Sequence, residues 1–106
     1  MRTNLLRGHV DSLLLAALAG APGHGYEISR RLKHTSGGEL AVNEGSLYPA
    51  LHRLERGGLV TSTWSADEGR RRRVYEITDA GRKAVEVSRR EWAAFSTAVT
   101  QVMGTA

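Results

Sequence analysis

Residues 40–59 read LAVNEGSLYPALHRLERGGL. Leu47, Ala50, Leu51 and Leu54 recur at i, i+3, i+4 and i+7, the spacing that gathers apolar side chains along one side of an α-helix. Pro49, His52, Arg53 and Arg56 fall opposite that stripe, with Ser46 and Tyr48 at its edges. Asn43 is placed to cap the helix. Pro49 has no N–H and suits the first turn or so, which puts the start between Asn43 and Ser46. Gly57 and Gly58 close it. The segment is therefore a short helix with an apolar inner side and a basic outer one.

Upstream, Leu6, Val10, Leu13, Leu14, Ala17 and Leu18 keep helical spacing, so the pattern predicts a first helix over about residues 4–19. AGAPGHG (19–25) then reads as a turn. HGYEISRRLKHTSGG (24–38) places Tyr26, Ile28 and Leu32 near one side and stops at Gly37 and Gly38, a short second helix. Downstream, LVTSTW (59–64) and RVYEIT (73–78) have strand composition and are joined by the charged linker SADEGRRR, so they are expected to pair as an antiparallel hairpin. Thr78 or Asp79 caps a last helix running to about Met103. In it Val85, Ser88, Trp92, Phe95, Val99 and Val102 step alternately by three and four residues, a heptad seam with one polar member.

Three helices with the third basic on its outer side, then a two-stranded hairpin, is the element order of a winged helix-turn-helix. The expected fold class is mainly α with a small β-hairpin, a winged helix-turn-helix plus one long C-terminal helix. In that fold the third helix enters the major groove of DNA and the hairpin, the wing, meets neighbouring backbone. Four consecutive arginines, 70–73, stand before the second strand, where forked guanidinium groups suit phosphate. The residues predicted to contact double-stranded DNA are Ser46, Tyr48, Pro49, His52, Arg53, Arg71, Arg72 and Arg73. A solvated loop is the plain alternative for the arginine run, and a core role is the plain alternative for Tyr48 and His52.

Composition agrees with this direction. A chain of 106 residues suits one core, and its formal net charge of +4 favours an anionic partner. The absence of cysteine removes disulfides and thiolate chemistry and favours a cytoplasmic address. His9, Asp11 and Ser12 break the first apolar run, so neither a signal peptide nor a membrane span is expected. His9, His24, His34 and His52 are scattered, with no metal-ligand spacing and no acid–base pair, so no cofactor, no metal and no enzymatic activity are expected.

NEGSLYPALHRLERGGLV followed by GRRRRVYEITDAGRKAV resembles the PadR family of bacterial transcriptional regulators, and HGYEISRRL resembles that family's second helix. The single helix after the wing is similar to the short subfamily. The resemblance implies a DNA-binding unit over residues 1–78 and a dimerisation helix over 79–106. It implies a homodimer joined through the last and first helices, with Val85, Trp92, Phe95, Val99, Val102, Leu6 and Val10 at the interface. It further implies a repressor on a palindromic operator, released by a planar hydrophobic small molecule in a pocket at the dimer interface. That pocket would draw on Trp92, Phe95, Arg89, Ser88, Leu5, His9 and Ser12. Arg89 and Ser96 are more polar than such a pocket usually has beside its tryptophan. Two alternatives stand beside this reading: a winged-helix protein-interaction module, and a constitutive repressor without an effector.

Overall fold

A computed structural model describes residues 8–67 and 69–104. The elements in chain order are α1 (Val10–Gly20), β1 (Gly23–His24), α2 (Gly25–Thr35), α3 (Glu44–Arg56), β2 (Val60–Asp67), β3 (Arg70–Ile77) and α4 (Asp79–Met103). The strands form one antiparallel sheet in the order β1-β3-β2. The fold is a winged helix-turn-helix with a long C-terminal helix.

Three of the helices, α2, α3 and α4, start where a side chain satisfies a backbone N–H that has no partner inside the helix. His24 and Glu27 form a reciprocal capping box at α2: His24 Nδ1 accepts from the Glu27 N–H (3.3 Å), and Glu27 Oε1 accepts from the His24 N–H (3.0 Å). Asn43 accepts from the Ser46 N–H at 2.9 Å and starts α3. Pro49 thus sits in the second turn rather than the first, because the Asn43 cap sets the start. Thr78 caps α4 by accepting from the Gly81 N–H, and its hydroxyl also donates to the Gly58 carbonyl at 2.8 Å. The end of α3 and the start of α4 are thereby pinned together.

The C-terminus of α1 has no basic residue of its own in its last turn. Two arginines from elsewhere cover it. Arg31 of α2 donates to the carbonyls of Ala17, Ala21 and Pro22, and Arg82 of α4 donates to that of Ala19. Cations there offset the negative end of the helix dipole and satisfy free carbonyls, so these two arginines fasten α2 and α4 to α1.

The core lies where α1, α2, α3 and the sheet converge. Leu14 and Leu18 of α1, Ile28 of α2, Leu47 and Leu51 of α3 and Val60 of β2 are fully buried. Each such aliphatic side chain stabilises the fold by roughly 1.5–3 kcal/mol relative to exposure. The predicted stripe Leu47, Ala50, Leu51, Leu54 is entirely inside.

Three readings are corrected. AGAPGHG is more than a turn, since Gly23 and His24 pair with Tyr75 and Val74 as a third strand. The wing is longer than expected: beyond the expected strand residues Trp64 and Arg73, which pair, Arg72 and Arg71 stand within the ladder opposite Ser65 and Ala66, and pairing continues outward to Asp67 and Arg70. Gly69, at φ +77°, supplies left-handed backbone of the kind a tight reversal needs, which lets the strands pair to their ends. Val85 belongs to the chain's own core (5% exposed) because α4 still packs on α1 and β3 at that point. The expected helix start at residue 4 lies outside the described residues, as do Leu5 and Leu6; within them α1 begins at Val10.

Candidate nucleic-acid interface

The outer side of α3 carries Tyr48, Pro49, His52, Arg53 and Arg56, all exposed, with Ser46 half-buried at its start. The wing rises beside it. Two clefts open between these elements. The first, about 420 Å³, is lined by His24, Gly25, Tyr26, Tyr48 and Arg71 to Arg73. The second, about 820 Å³, lies between α3 and the wing and is lined by Pro49, His52, Arg53, Glu55, Arg56, Trp64 and Arg73. All eight predicted DNA residues except Ser46 line one or both clefts.

Their partners differ, and so do the tasks open to them. Tyr48 lies against the start of α2 so closely that a Cβ on Gly25 would stand 2.8 Å from its ring. The absence of a side chain at Gly25 is what lets this ring lie close beside α2. Arg53 is held by Asp11 of α1 through two hydrogen bonds, at 2.7 and 3.1 Å. The hydrogen bond first, and then the attraction of the carboxylate, raise the Arg53 pKa above its already high ordinary value, so it stays a cation.

The three wing arginines part company. Arg73 donates from Nε to Ser62 Oγ (2.8 Å), Ser62 donates to Glu55 Oε2 (2.6 Å), and the Arg73 guanidinium lies 3.8 Å from the same carboxylate. Arg73 is therefore a strut between wing and α3 as well as a cation at the cleft. Arg72 approaches His24 Nε2 at 2.9 Å. Arg71 is exposed, and its guanidinium carbon stands 4.8 Å from the centre of the Trp64 ring; that of Arg73 stands 5.1 Å away. Such distances are within cation–π range. Glu55, the acidic residue lining the second cleft, is thus already bound. The face presented by α3 and the wing is cationic.

Trp64 lines the second cleft beside α3 and is 56% exposed. Its place was available from strand alternation. Val60, Ser62 and Trp64 share one side of β2, and Val60 is core, so Trp64 points toward α3.

A second group forms around α4. The Trp92 ring lies 6.0 Å from that of His9, edge to face, and 5.8 Å from that of Phe95. Ser88 donates to Ser12 at 3.3 Å. Arg89 is paired with Glu86, one turn back along the helix. Trp92, Phe95 and Val102 are 58%, 60% and 87% exposed, and Val99 is half-buried. Val10 is half-buried against the core. Of the residues expected around an effector, the structure brings together His9, Ser12, Ser88, Trp92 and Phe95. Among the described residues no group of three His, Cys, Asp or Glu could hold a metal, and no helix is long and apolar enough to cross a membrane.

The family model for the transcriptional regulator PadR-like family matches residues 14–87. A transcriptional regulator from Clostridium thermocellum is 30% identical, with a TM-score of 0.84 over 93% of this chain and 97% of that one. A PadR family transcription regulator from Clostridium difficile is also 30% identical, with a TM-score of 0.79 over 92% of this chain and all of the other. A transcriptional regulator of Mycobacterium tuberculosis is 53% identical over 49 residues, 46% of each chain.

Proposed function

The chain belongs to the PadR-like family of transcriptional regulators, and on that premise we propose that it is a cytoplasmic, homodimeric repressor that binds a palindromic operator and leaves it when a planar hydrophobic molecule binds. In this reading residues 1–78 are the DNA-binding unit and 79–106 the dimerisation helix.

The observation that carries the reading is the shared cationic face of α3 and the wing, with Tyr48, His52 and Arg71 exposed on it. A basic helix suits the major groove, and the wing arginines suit the flanking phosphates. The exposed seam of Trp92, Phe95 and Val102 supports dimerisation, because an apolar row on a helix gains by covering itself. A twofold dimer presents two copies of α3, and successive major grooves lie about 34 Å apart, so operator symmetry follows protein symmetry.

The aromatic group His9, Trp92 and Phe95 supports the effector part of the reading, since flat guests stack between such rings. Glu86 offsets the Arg89 charge beside it, which suits a neutral guest. The guest releases DNA only to the extent that it favours a dimer with the wrong spacing of α3.

Selection of bound duplexes from a random pool tests the function. The expected product is a palindrome with half-sites one helical turn apart, bound by a species that sediments as a dimer. Enrichment of a lone half-site by a monomer would contradict it.

A further inference from the structure

We propose that Trp64 is a DNA-contacting residue, whose indole packs on a deoxyribose of the backbone strand that runs between α3 and the wing. The inference rests on the DNA-binding reading above and adds a residue and a contact chemistry to it.

Three observations carry it. First, strand alternation aims Trp64 into the cleft: Val60 on the same side is core, and Ser62 is bonded to Glu55 of α3. Trp64 is the next residue outward on that side and remains more than half exposed. Second, the indole already has cation–π neighbours that restrict it, with the guanidinium carbons of Arg71 and Arg73 at 4.8 and 5.1 Å from its centre. An aromatic surface held in place meets a partner without a large loss of side-chain freedom. Third, the cleft is lined by both cationic and apolar groups. Arg56 and Arg73 are cationic, Trp64 and Pro49 are apolar, and Glu55 is occupied by Ser62 and Arg73.

A nucleic-acid backbone presents the complementary pair, anionic phosphate and largely apolar sugar. When α3 fills a major groove and the wing reaches the adjacent minor groove, the strand separating the two grooves passes between the two elements. That is where the second cleft lies. Phosphate meets guanidinium, and the sugar C–H face meets the indole.

The test uses the full-length protein and the duplex recovered by selection, with hydroxyl-radical footprinting, which reads access to individual deoxyriboses. Trp64→Ala should lose protection at the one or two sugars between the groove segments covered by α3 and the wing. Its affinity should fall roughly tenfold, as for withdrawing the exposed part of an indole from a contact. Its salt dependence should stay that of the wild type, because a sugar contact releases no counterion. Trp64→Phe should keep the protection and most of the affinity. If Trp64→Ala instead reproduces Arg71→Ala with a shallower salt dependence, Trp64 only positions an arginine and the inference is overturned. Unchanged footprint and affinity in Trp64→Ala overturn it as well. Failure of the wild-type protein to bind any selected duplex is a different result, which overturns the DNA-binding reading itself.

Discussion

Arg53 of helix α3 is clasped by Asp11 of α1, Nη2 to Oδ1 at 2.7 Å and Nε to Oδ2 at 3.1 Å. The same turn of α1 contains Ser12, which receives a hydrogen bond from Ser88 of α4, and is preceded by His9 against Trp92. One short stretch thus touches both the aromatic group and the cationic outer side of α3. In the proposed complex this carboxylate would stand close to the DNA and oppose it on charge grounds. Asp11→Asn should lower the dissociation constant about two- to fivefold at low salt, and the gain should vanish as salt screens it. Fluorescence anisotropy with labelled operator measures both.

Gly25→Ala should separate folding from recognition. The new Cβ would stand 2.8–3.0 Å from three atoms of the Tyr48 side chain, the far end of a movable and exposed group. The ring shifts and the backbone does not. Stability should change by less than about 1 kcal/mol, since Ala also favours the helix, while operator affinity falls. Urea titration and anisotropy read the two effects separately.

Gly81→Ala should do the reverse. Its Cβ would stand 2.2 Å from the Leu59 carbonyl oxygen and 2.6 Å from Ile77 Cγ1, a backbone atom and a buried side chain that have nowhere to go. Overpacking of this kind costs about 1–3 kcal/mol, or more where backbone must move. The urea midpoint should drop accordingly.

Alkaline pH should weaken the fold through Tyr75. Burial, reinforced by the charge of Glu55, pushes its phenol above the ordinary value of 10, with Arg73 opposing. The folded protein therefore holds this proton more tightly than the unfolded chain does. The associated stability is complete below the unfolded value and is lost as pH rises past it toward the folded one. Tyr75→Phe should lose less stability than the wild type between about pH 9 and pH 11, in urea titrations at each pH.

What the sequence made legible was local. Leu47, Ala50, Leu51 and Leu54 repeat within two turns, Asn43 and Thr78 stand one step before their helices, and each is a rule about near neighbours. The misses are contacts between distant parts of the chain. Arg53 meets Asp11 across 42 positions, and His24 meets Arg72 across 48. Neither pair leaves a periodic trace. A two-residue strand such as Gly23–His24 is too short to show alternation, and its pairing depends on β3 being in place. Arg70 to Arg72 read as part of a linker because charge in a run suggests solvent, whereas their backbone lies in a ladder. Trp64 differs, since counting by twos from Val60 places it correctly.

The central claim, that α3 and the wing hold DNA through phosphate-directed cations, is tested most directly by the slope of log K against log salt for the wild type and for the Arg71→Ala, Arg72→Ala double variant. The wild type should show a steep linear slope. The variant should bind every duplex more weakly, with a slope shallower by about one unit for each phosphate that is no longer neutralised. Salt-insensitive binding, or a double variant with the wild-type slope, would contradict it.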